Sequence, residues 1–217
     1  MSDRYKDELK RKGVVEIDCG PFTDETLLAI SSEFGRVVPG ARGETVQSLP
    51  ARDVGSGPIG SFSYTVGYGA FPWHTDTAYW ETPARYLLLA SDKESACATL
   101  YQDLNVIRQS IPDYDYLMSR AVYLLDVKGK KRYLSPVFED GEKRGVRLDF
   151  HIYQPANKEA LLLNEMIEKE LKNNYHRFEW TGFNAVILDN WRMIHAREDA
   201  RDDKKRFLKR IYINELD

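Results

Sequence analysis

The chain has 217 residues, and its 31 basic and 34 acidic side chains nearly balance to a formal charge of −3. This balance provides no long-range field for a nucleic acid or an anionic membrane, and no apolar run approaches the roughly 20 residues of a membrane span. Cys19 and Cys97 lack the spacing of a disulfide framework or a thiolate zinc site. We therefore expect one soluble, cytoplasmic domain, residues 1–217, that binds a small molecule and neither nucleic acid nor membrane; the sequence does not specify its oligomeric state.

The first third of the chain is predicted to contain short helices and strands. Mixed charges over residues 4–12 predict a solvated helix, and β-branched residues over 13–18 predict a strand. Thr23 is a candidate N-cap for a second helix. The four glycines and prolines within residues 51–60 predict a loop that covers a pocket, and the alternation over residues 61–66 predicts a strand.

Short apolar runs dominate the middle of the chain. Residues 85–91 are mostly apolar on both faces, and because the run is short it favours a central strand over a helix. Residues 99–107 are typical of a strand that passes into a helix ending near Pro112. The other elements predicted here are a helix at 114–120 and strands at 121–127, 131–134 and 146–153, the last two joined by a turn at Asp140-Gly141.

The clearest helix is predicted at residues 157–173, with Asn157 as its capping residue. Its apolar side chains fall on one broad stripe with charges opposite, which is the pattern of an amphipathic helix packed on a sheet. Further strands are predicted at 175–180, 184–189 and 207–214. Many short strands, few helices between them and no alternating βαβ rhythm favour a mainly β sandwich with flanking helices, of the α+β class.

His74 and Asp76 form a His-x-Asp pair that we interpret as two ligands of one metal ion. Side chains two residues apart on an extended strand point to the same side, so the imidazole and the carboxylate converge. His195 is the candidate third ligand, because two imidazoles and one carboxylate on one face leave three positions of an octahedral Fe(II) open. An isolated His-x-Asp also arises by chance in proteins without a metal.

Arg206 and Arg210 are candidates for binding an anion. On a strand these two positions face the same side, so two guanidinium groups can enter one pocket and bind carboxylates in bidentate fashion. The alternative reading is an ordinary basic strand at the edge of a sheet, with both side chains in solvent.

Several blocks of this sequence recur in one order in a known enzyme superfamily. They are His74-Thr75-Asp76, the proline-containing run 83–89, Thr99-Leu100-Tyr101, the run 189–195, and the pair Arg206 and Arg210. In these blocks the chain resembles, over about residues 45–213, the Fe(II)/2-oxoglutarate-dependent dioxygenases of the taurine dioxygenase and clavaminate synthase-like superfamily.

The resemblance implies a distorted double-stranded β-helix, or jelly roll, with iron at its open end. It implies that His74, Asp76 and His195 hold Fe(II), with 2-oxoglutarate and O2 as cosubstrates. It also implies that Thr99, at the start of a helix, and Arg206 bind the distal carboxylate of 2-oxoglutarate, with Arg210 as the second arginine of that strand. The implied reaction oxidises an unactivated C–H bond of a small polar substrate such as an amino acid, by default through hydroxylation, and releases succinate and CO2.

The substrate contacts are predicted from their expected position around the mouth of the jelly roll, where polar side chains can bind a zwitterion. Besides Arg210 they are Gln47, Tyr64, Tyr79, Trp80, Arg147 and Asp149. There are two alternative functions. A non-catalytic jelly-roll module that binds a small acidic ligand remains the main alternative, whereas zinc-dependent hydrolysis is disfavoured because no glutamate is placed as a general base beside the His-x-Asp pair.

Overall fold

A computed structural model describes residues 2–57, 59, 61–127 and 129–215, and six helices and fifteen strands form within them. The helices are α1 (Ser2–Lys12), α2 (Asp24–Phe34), α3 (Phe62–Val66), α4 (Leu104–Ser110), α5 (Tyr114–Arg120) and α6 (Lys158–Leu171). The strands up to the middle of the chain are β1 (Val14–Asp18), β2 (Arg36–Val38), β3 (Gln47–Pro50), β4 (Phe71–His74), β5 (Tyr86–Ser91), β6 (Glu94–Asp103) and β7 (Tyr123–Val127). The later strands are β8 (Lys130–Leu134), β9 (Val137–Asp140), β10 (Lys143–Val146), β11 (Tyr153–Pro155), β12 (His176–Thr181), β13 (Asn184–Asp189), β14 (Met193–Arg197) and β15 (Phe207–Asn214).

The larger sheet has the strand order β1-β13-β5-β15-β2, with β3 also paired to β15, and its pairs are antiparallel. Its central strand β5 sends alternate side chains to two apolar clusters: Leu87 and Leu89 face one, Leu88 and Ala90 the other. Helices α1 and α2 contribute apolar side chains to the second cluster. Both faces of β5 are therefore buried, in agreement with its continuous apolar sequence.

The smaller sheet has the order β12-β6-β14-β4 and packs against the larger one. Tyr101, Phe178 and Trp180 of this sheet share an apolar cluster with Val186 and Leu188 of β13. Strands that are neighbours in each sheet come from distant parts of the chain, as expected when the chain crosses repeatedly between two facing sheets. The predicted class, mainly β with flanking helices, is confirmed.

Helices α4, α5 and α6 form a layer beside a third, three-stranded sheet, β11-β7-β8. In α6, Leu163 and Ile167 are fully buried in the same cluster as Tyr123 of β7, and Asn157 caps the helix by accepting a hydrogen bond from the Ala160 amide at 3.0 Å. This confirms the predicted amphipathic helix and its cap. None of the helices in the described residues has the length and apolar run needed to cross a membrane.

Residues 61–66 were predicted as a strand, and this is wrong. Phe62–Val66 is the short helix α3, and the Ser61 hydroxyl accepts a hydrogen bond from the Tyr64 amide at 3.3 Å as its N-cap. The backbone is thus satisfied by local bonds within one turn, which a serine cap favours over a strand.

The predicted strand at 146–153 is also wrong between its two end residues, since β10 ends at Val146 and β11 begins at Tyr153. The Asp149 carboxylate accepts hydrogen bonds from the amides of His151 and Ile152 at 2.9 and 3.0 Å, which folds the chain into a turn. The Asp140-Gly141 step is a turn as predicted, but it joins β9 to β10. The other predicted helices and strands are confirmed to within a few residues.

Candidate functional site

His74, Asp76 and His195 come together in the interior, where β4 ends beside the middle of β14. In these two antiparallel strands His74 lies opposite His195. The Nε2 atom of His74 is 3.9 Å from one Asp76 oxygen, and the Nε2 atom of His195 is 4.0 Å from the other. The ligand atoms of the three buried residues all lie within 4.8 Å of one another, so they can hold one metal ion.

Asp76 does not lie on a strand, which corrects the prediction that His74 and Asp76 converge by strand alternation. Strand β4 ends at His74, and the chain then turns, with a positive φ of 55° at Thr77. Side chains hold this turn in place of a strand partner. The Thr75 hydroxyl accepts a hydrogen bond from the Leu148 amide at 3.1 Å, and the Asn190 side chain bonds both the amide and the carbonyl of Asp76.

The protonation of the three side chains suits a metal. The Nδ1 atom of His74 is 2.9 Å from the Pro72 carbonyl, which can only accept, so a neutral His74 ring carries its hydrogen on Nδ1 and leaves the Nε2 lone pair for a metal. Burial, followed by the adjacent His74, lowers the pKa of His195 to about 3, so that ring is neutral. Burial acts to raise the pKa of Asp76, but the charge and the hydrogen bond of Arg210 act against it, and the pKa lies below its ordinary value. Two imidazoles and one carboxylate fit the ligand set of non-haem Fe(II).

Arg206 is a buried cation, and no carboxylate among the described residues forms a salt bridge with it, although the charge of Asp203 acts on it from a longer distance. Its Nε donates to the Cys97 carbonyl at 3.1 Å and one terminal nitrogen to the Thr99 hydroxyl at 3.3 Å. Burial lowers its pKa. A buried guanidinium is costly unless an anion compensates it, so this corner of the site is suited to bind one.

Thr99 was expected at the start of a helix, but it lies in the middle of β6. Helix α4 begins five residues later, at Leu104, with Asp103 as its N-cap. The hydroxyl of Thr99 still faces Arg206 and also accepts a hydrogen bond from the Trp180 indole at 3.2 Å. Strand β6 therefore brings Thr99 to Arg206 from the opposite sheet.

Arg210 has different surroundings. One of its terminal nitrogens lies 3.1 and 3.2 Å from the two oxygens of Asp76, and the other donates to the Gln47 side chain at 2.7 Å. The Arg210 Nε and the Gln47 Nε2 are buried without a hydrogen-bond partner. The two arginines are thus not one clamp: Arg206 lies beside Thr99 and Arg210 beside the metal triad.

Three of the predicted substrate residues lie close to this centre. Gln47 is opposite Arg210 in the pairing of β3 with β15. Asp149 is buried, forms an isolated β-bridge with His74, and has a pKa raised by its burial. The Trp80 ring packs edge-on against the Tyr212 ring, with 5.7 Å between the ring centroids, and Tyr212 lies two residues after Arg210 on the same side of β15.

The other predicted substrate residues are placed less favourably. The Arg147 guanidinium donates to backbone carbonyls, including that of Trp80 at 3.0 Å, and so holds the loop that follows Asp76. Tyr79 is about one-third exposed at this loop, and its carbonyl accepts a hydrogen bond from Arg132. Tyr64 is exposed on α3, and no contact joins its side chain to the triad in the described part of the chain.

Three further residues at the site had no predicted role. Asn190 belongs to the run 189–195. This run was one of the motif blocks that indicated the site, but the motif did not predict the hydrogen bonds of Asn190. The Phe62 ring packs 4.4 Å from the His74 ring, but alternation had assigned it to a strand. Arg197 is buried two residues after His195, donates to the carbonyls of Gly67 and Gly69, and lies over the Phe71 ring.

Comparison with solved structures shows which fold this is. An asparagine oxygenase in complex with Fe(II), 3-hydroxyasparagine and succinate superimposes with a TM-score of 0.78 at 14% identity, over 98% of this chain and 79% of that one. The oxygenase OrfP with Fe and alpha-ketoglutaric acid gives 0.72 at 19% identity, over 99% and 81%. A taurine dioxygenase-like protein from Burkholderia xenovorans gives 0.72 at 18%, over 98% and 84%.

No protein-family model and no curated protein sequence matches the chain. The structural likeness therefore establishes the fold. It is the double-stranded β-helix of these iron oxygenases, and the jelly roll expected from the sequence is confirmed.

Proposed function

We propose that this chain is an Fe(II)- and 2-oxoglutarate-dependent oxygenase that hydroxylates a C–H bond of a free amino acid or a similar small zwitterion. One observation carries the proposal: a buried group of two imidazoles and a carboxylate lies in the same interior as a buried, unpaired guanidinium. The first suits Fe(II), and the second suits one end of a dicarboxylate. The single domain of residues 1–217 would contain both.

In this proposal His74, Asp76 and His195 hold the iron. Arg206 and the Thr99 hydroxyl bind the distal carboxylate of 2-oxoglutarate, which would compensate the buried charge of Arg206. When bound, iron and 2-oxoglutarate supply the oxidising chemistry, in which O2 is consumed and succinate and CO2 are released. The protein contributes position: it holds the reacting carbon of the substrate next to the metal and keeps bulk water away.

The charges beside the triad support a zwitterionic substrate. Arg210 and Gln47 lie on the Asp76 side, where their unpartnered nitrogens can donate to a carboxylate. Asp149 lies beside His74, and its buried carboxylate can accept from an ammonium group. Two of the structural neighbours are consistent with this, since one is an asparagine oxygenase bound to 3-hydroxyasparagine and another is OrfP bound to 3-hydroxyarginine.

The test has two stages. The metal-free protein is mixed anaerobically with Fe(II) and 2-oxoglutarate, and we expect a weak visible charge-transfer band that His195→Ala abolishes. His176→Ala is the matched control, because His176 is an exposed histidine on β12 that stacks on Tyr101. Succinate release is then measured in air with each free amino acid.

We expect one or a few amino acids to stimulate succinate release by wild-type protein and by the His176→Ala variant. The same spectrum in wild type and His195→Ala would contradict the metal assignment. Tight binding of 2-oxoglutarate without turnover of any substrate would instead identify a non-catalytic binding module.

A further inference from the structure

Asp76 needs an anchor that its own strand does not provide. It lies two residues beyond the end of β4, in a turn, so neither its amide nor its carbonyl has a partner in the β-ladder. Asn190 supplies both bonds: the Asp76 amide donates to the Asn190 Oδ1 at 2.8 Å, and the Asn190 Nδ2 donates to the Asp76 carbonyl at 2.9 Å. The side-chain amide thus replaces the peptide group of a neighbouring strand.

The bonds of Asn190 require an amide and no other group. Its Nδ2 also donates to the Ala84 carbonyl at 2.9 Å, so both amide hydrogens are used, and its side chain is buried. An aspartate would direct an oxygen at two carbonyl oxygens. A leucine would leave the buried Asp76 amide and Ala84 carbonyl without these partners, and the Asp76 carbonyl with only the Thr77 hydroxyl as a donor. The site therefore selects for asparagine on hydrogen-bonding grounds.

Asn190 also links two of the three ligands. It lies in the connection that leaves β13 in the larger sheet and enters β14 in the smaller one, and β14 carries His195. The backbone of Asn190 is itself fixed, because its amide donates to the Arg85 carbonyl at 2.9 Å. The position of Asp76 is therefore tied to the segment that delivers His195.

We infer that Asn190 is a positioning residue for metal binding, which holds Asp76 at the distance from His195 that one ion requires. The inference rests on the proposed metal site. Outer residues that orient metal ligands typically change metal affinity by about 10- to 100-fold when they are replaced. We expect an effect of this size from Asn190→Ala, although Asn190 does not contact the ligand atoms of Asp76.

The experiment measures Fe(II) affinity and does not depend on turnover. Metal-free wild type, Asn190→Ala and Asn157→Ala are titrated anaerobically with Fe(II) against a chromophoric chelator, and the thermal midpoint of each metal-free protein is recorded. Asn157 is the matched control, because its side chain also makes three hydrogen bonds to backbone groups, those of Val122, Ala160 and Arg120, outside the metal site.

We expect both alanine variants to lower the thermal midpoint, but only Asn190→Ala to weaken Fe(II) binding, by about 10-fold or more. If Asn190→Ala does not fold, Asn190→Ser replaces it, since the hydroxyl retains part of the hydrogen bonding, and the weaker Fe(II) binding is still expected. An Fe(II) affinity within twofold of wild type, or an equal loss in Asn157→Ala, would overturn the inference. Wild-type protein that binds no Fe(II) would overturn the proposed metal site, and this inference with it.

Discussion

Arg206 and Arg210 lie four residues apart and enter the same interior, yet their partners differ. Arg206 contacts the Cys97 carbonyl and the Thr99 hydroxyl, whereas Arg210 contacts the Asp76 carboxylate and Gln47. Among the described residues no carboxylate forms a salt bridge with Arg206, whereas Arg210 is paired with Asp76. We expect the two residues to serve different ligands.

Arg206→Ala should weaken 2-oxoglutarate binding by about 30-fold or more. Removal of one partner of a buried, hydrogen-bonded charge pair costs about 2–5 kcal/mol, and each 1.4 kcal/mol is a factor of about ten. The 2-oxoglutarate affinity of Arg206→Lys should fall between those of wild type and Arg206→Ala, since lysine retains the charge but lacks the planar fork of donors. The measurement is a 2-oxoglutarate titration of the Fe(II) protein by the charge-transfer band or by calorimetry.

Two arginine variants serve as controls for this prediction. Arg177→Ala removes an exposed arginine that pairs with Glu198 and Glu179, and it should leave 2-oxoglutarate binding unchanged. Arg210→Ala should raise the KM for the amino acid far more than the KM for 2-oxoglutarate. A 2-oxoglutarate affinity of Arg206→Ala within twofold of wild type would be incompatible with its assigned role.

At the scale of elements, residues 61–70 form a covering segment over the metal triad. Helix α3 in this segment places the Phe62 ring 4.4 Å from His74 and 5.1 Å from His151. The end of the segment is held by Arg197 of β14, which donates to the carbonyls of Gly67 and Gly69. Strand β14, which carries His195, therefore also holds the covering segment in place.

Arg197→Ala should loosen the covering segment while the sheets remain folded. The variant loses the two hydrogen bonds of Arg197 to the covering segment and its contact with the Phe71 ring, but the bond from the Ala200 amide to the Tyr68 carbonyl remains. We expect faster amide hydrogen exchange in peptides that cover residues 61–70, and little change in those from β5 and β13.

Arg201→Ala is the matched control for the covering segment, because Arg201 lies four residues away and pairs with Asp199 at an exposed position. It should leave exchange over residues 61–70 unchanged. Equal exchange in Arg197→Ala and wild type would show that other contacts hold the segment.

At the scale of the whole molecule, the metal site joins three segments. His74 and His195 lie on β4 and β14 of the smaller sheet, and Asp76 lies in a turn that is held by the connection between the two sheets. Metal binding should therefore stabilise the entire fold. At a free Fe(II) concentration about 100 times the dissociation constant, linkage adds about 2.7 kcal/mol. For a domain of this size, this corresponds to a rise in Tm of about 5–11 °C.

The measurement is anaerobic thermal unfolding with and without Fe(II), for wild type and Asp76→Ala. The rise should disappear in Asp76→Ala and persist in Asp115→Ala, which removes an exposed carboxylate paired with Arg108. An undiminished rise in Asp76→Ala would place the stabilising ion elsewhere.

Much of this fold follows from local patterns in the sequence. Helix α6 has an apolar stripe and an asparagine cap, and strand β5 has a short apolar run, so each element was predicted with nearly its observed bounds. The order of the motif blocks also singled out His74, Asp76 and His195, which the structure brings together. These features depend on residue type and short spacing, which a sequence displays directly.

Other features depended on contacts between distant residues. Asp76 is held by Asn190, and Thr99 faces Arg206 from the opposite sheet. By itself the sequence determined the mainly β class, the strong helices and the set of chemically competent side chains. Only the tertiary structure decided which of those side chains meet, because hydrogen bonds and ion pairs across the two sheets join residues a hundred or more positions apart, and periodicity reports only on neighbours along the chain.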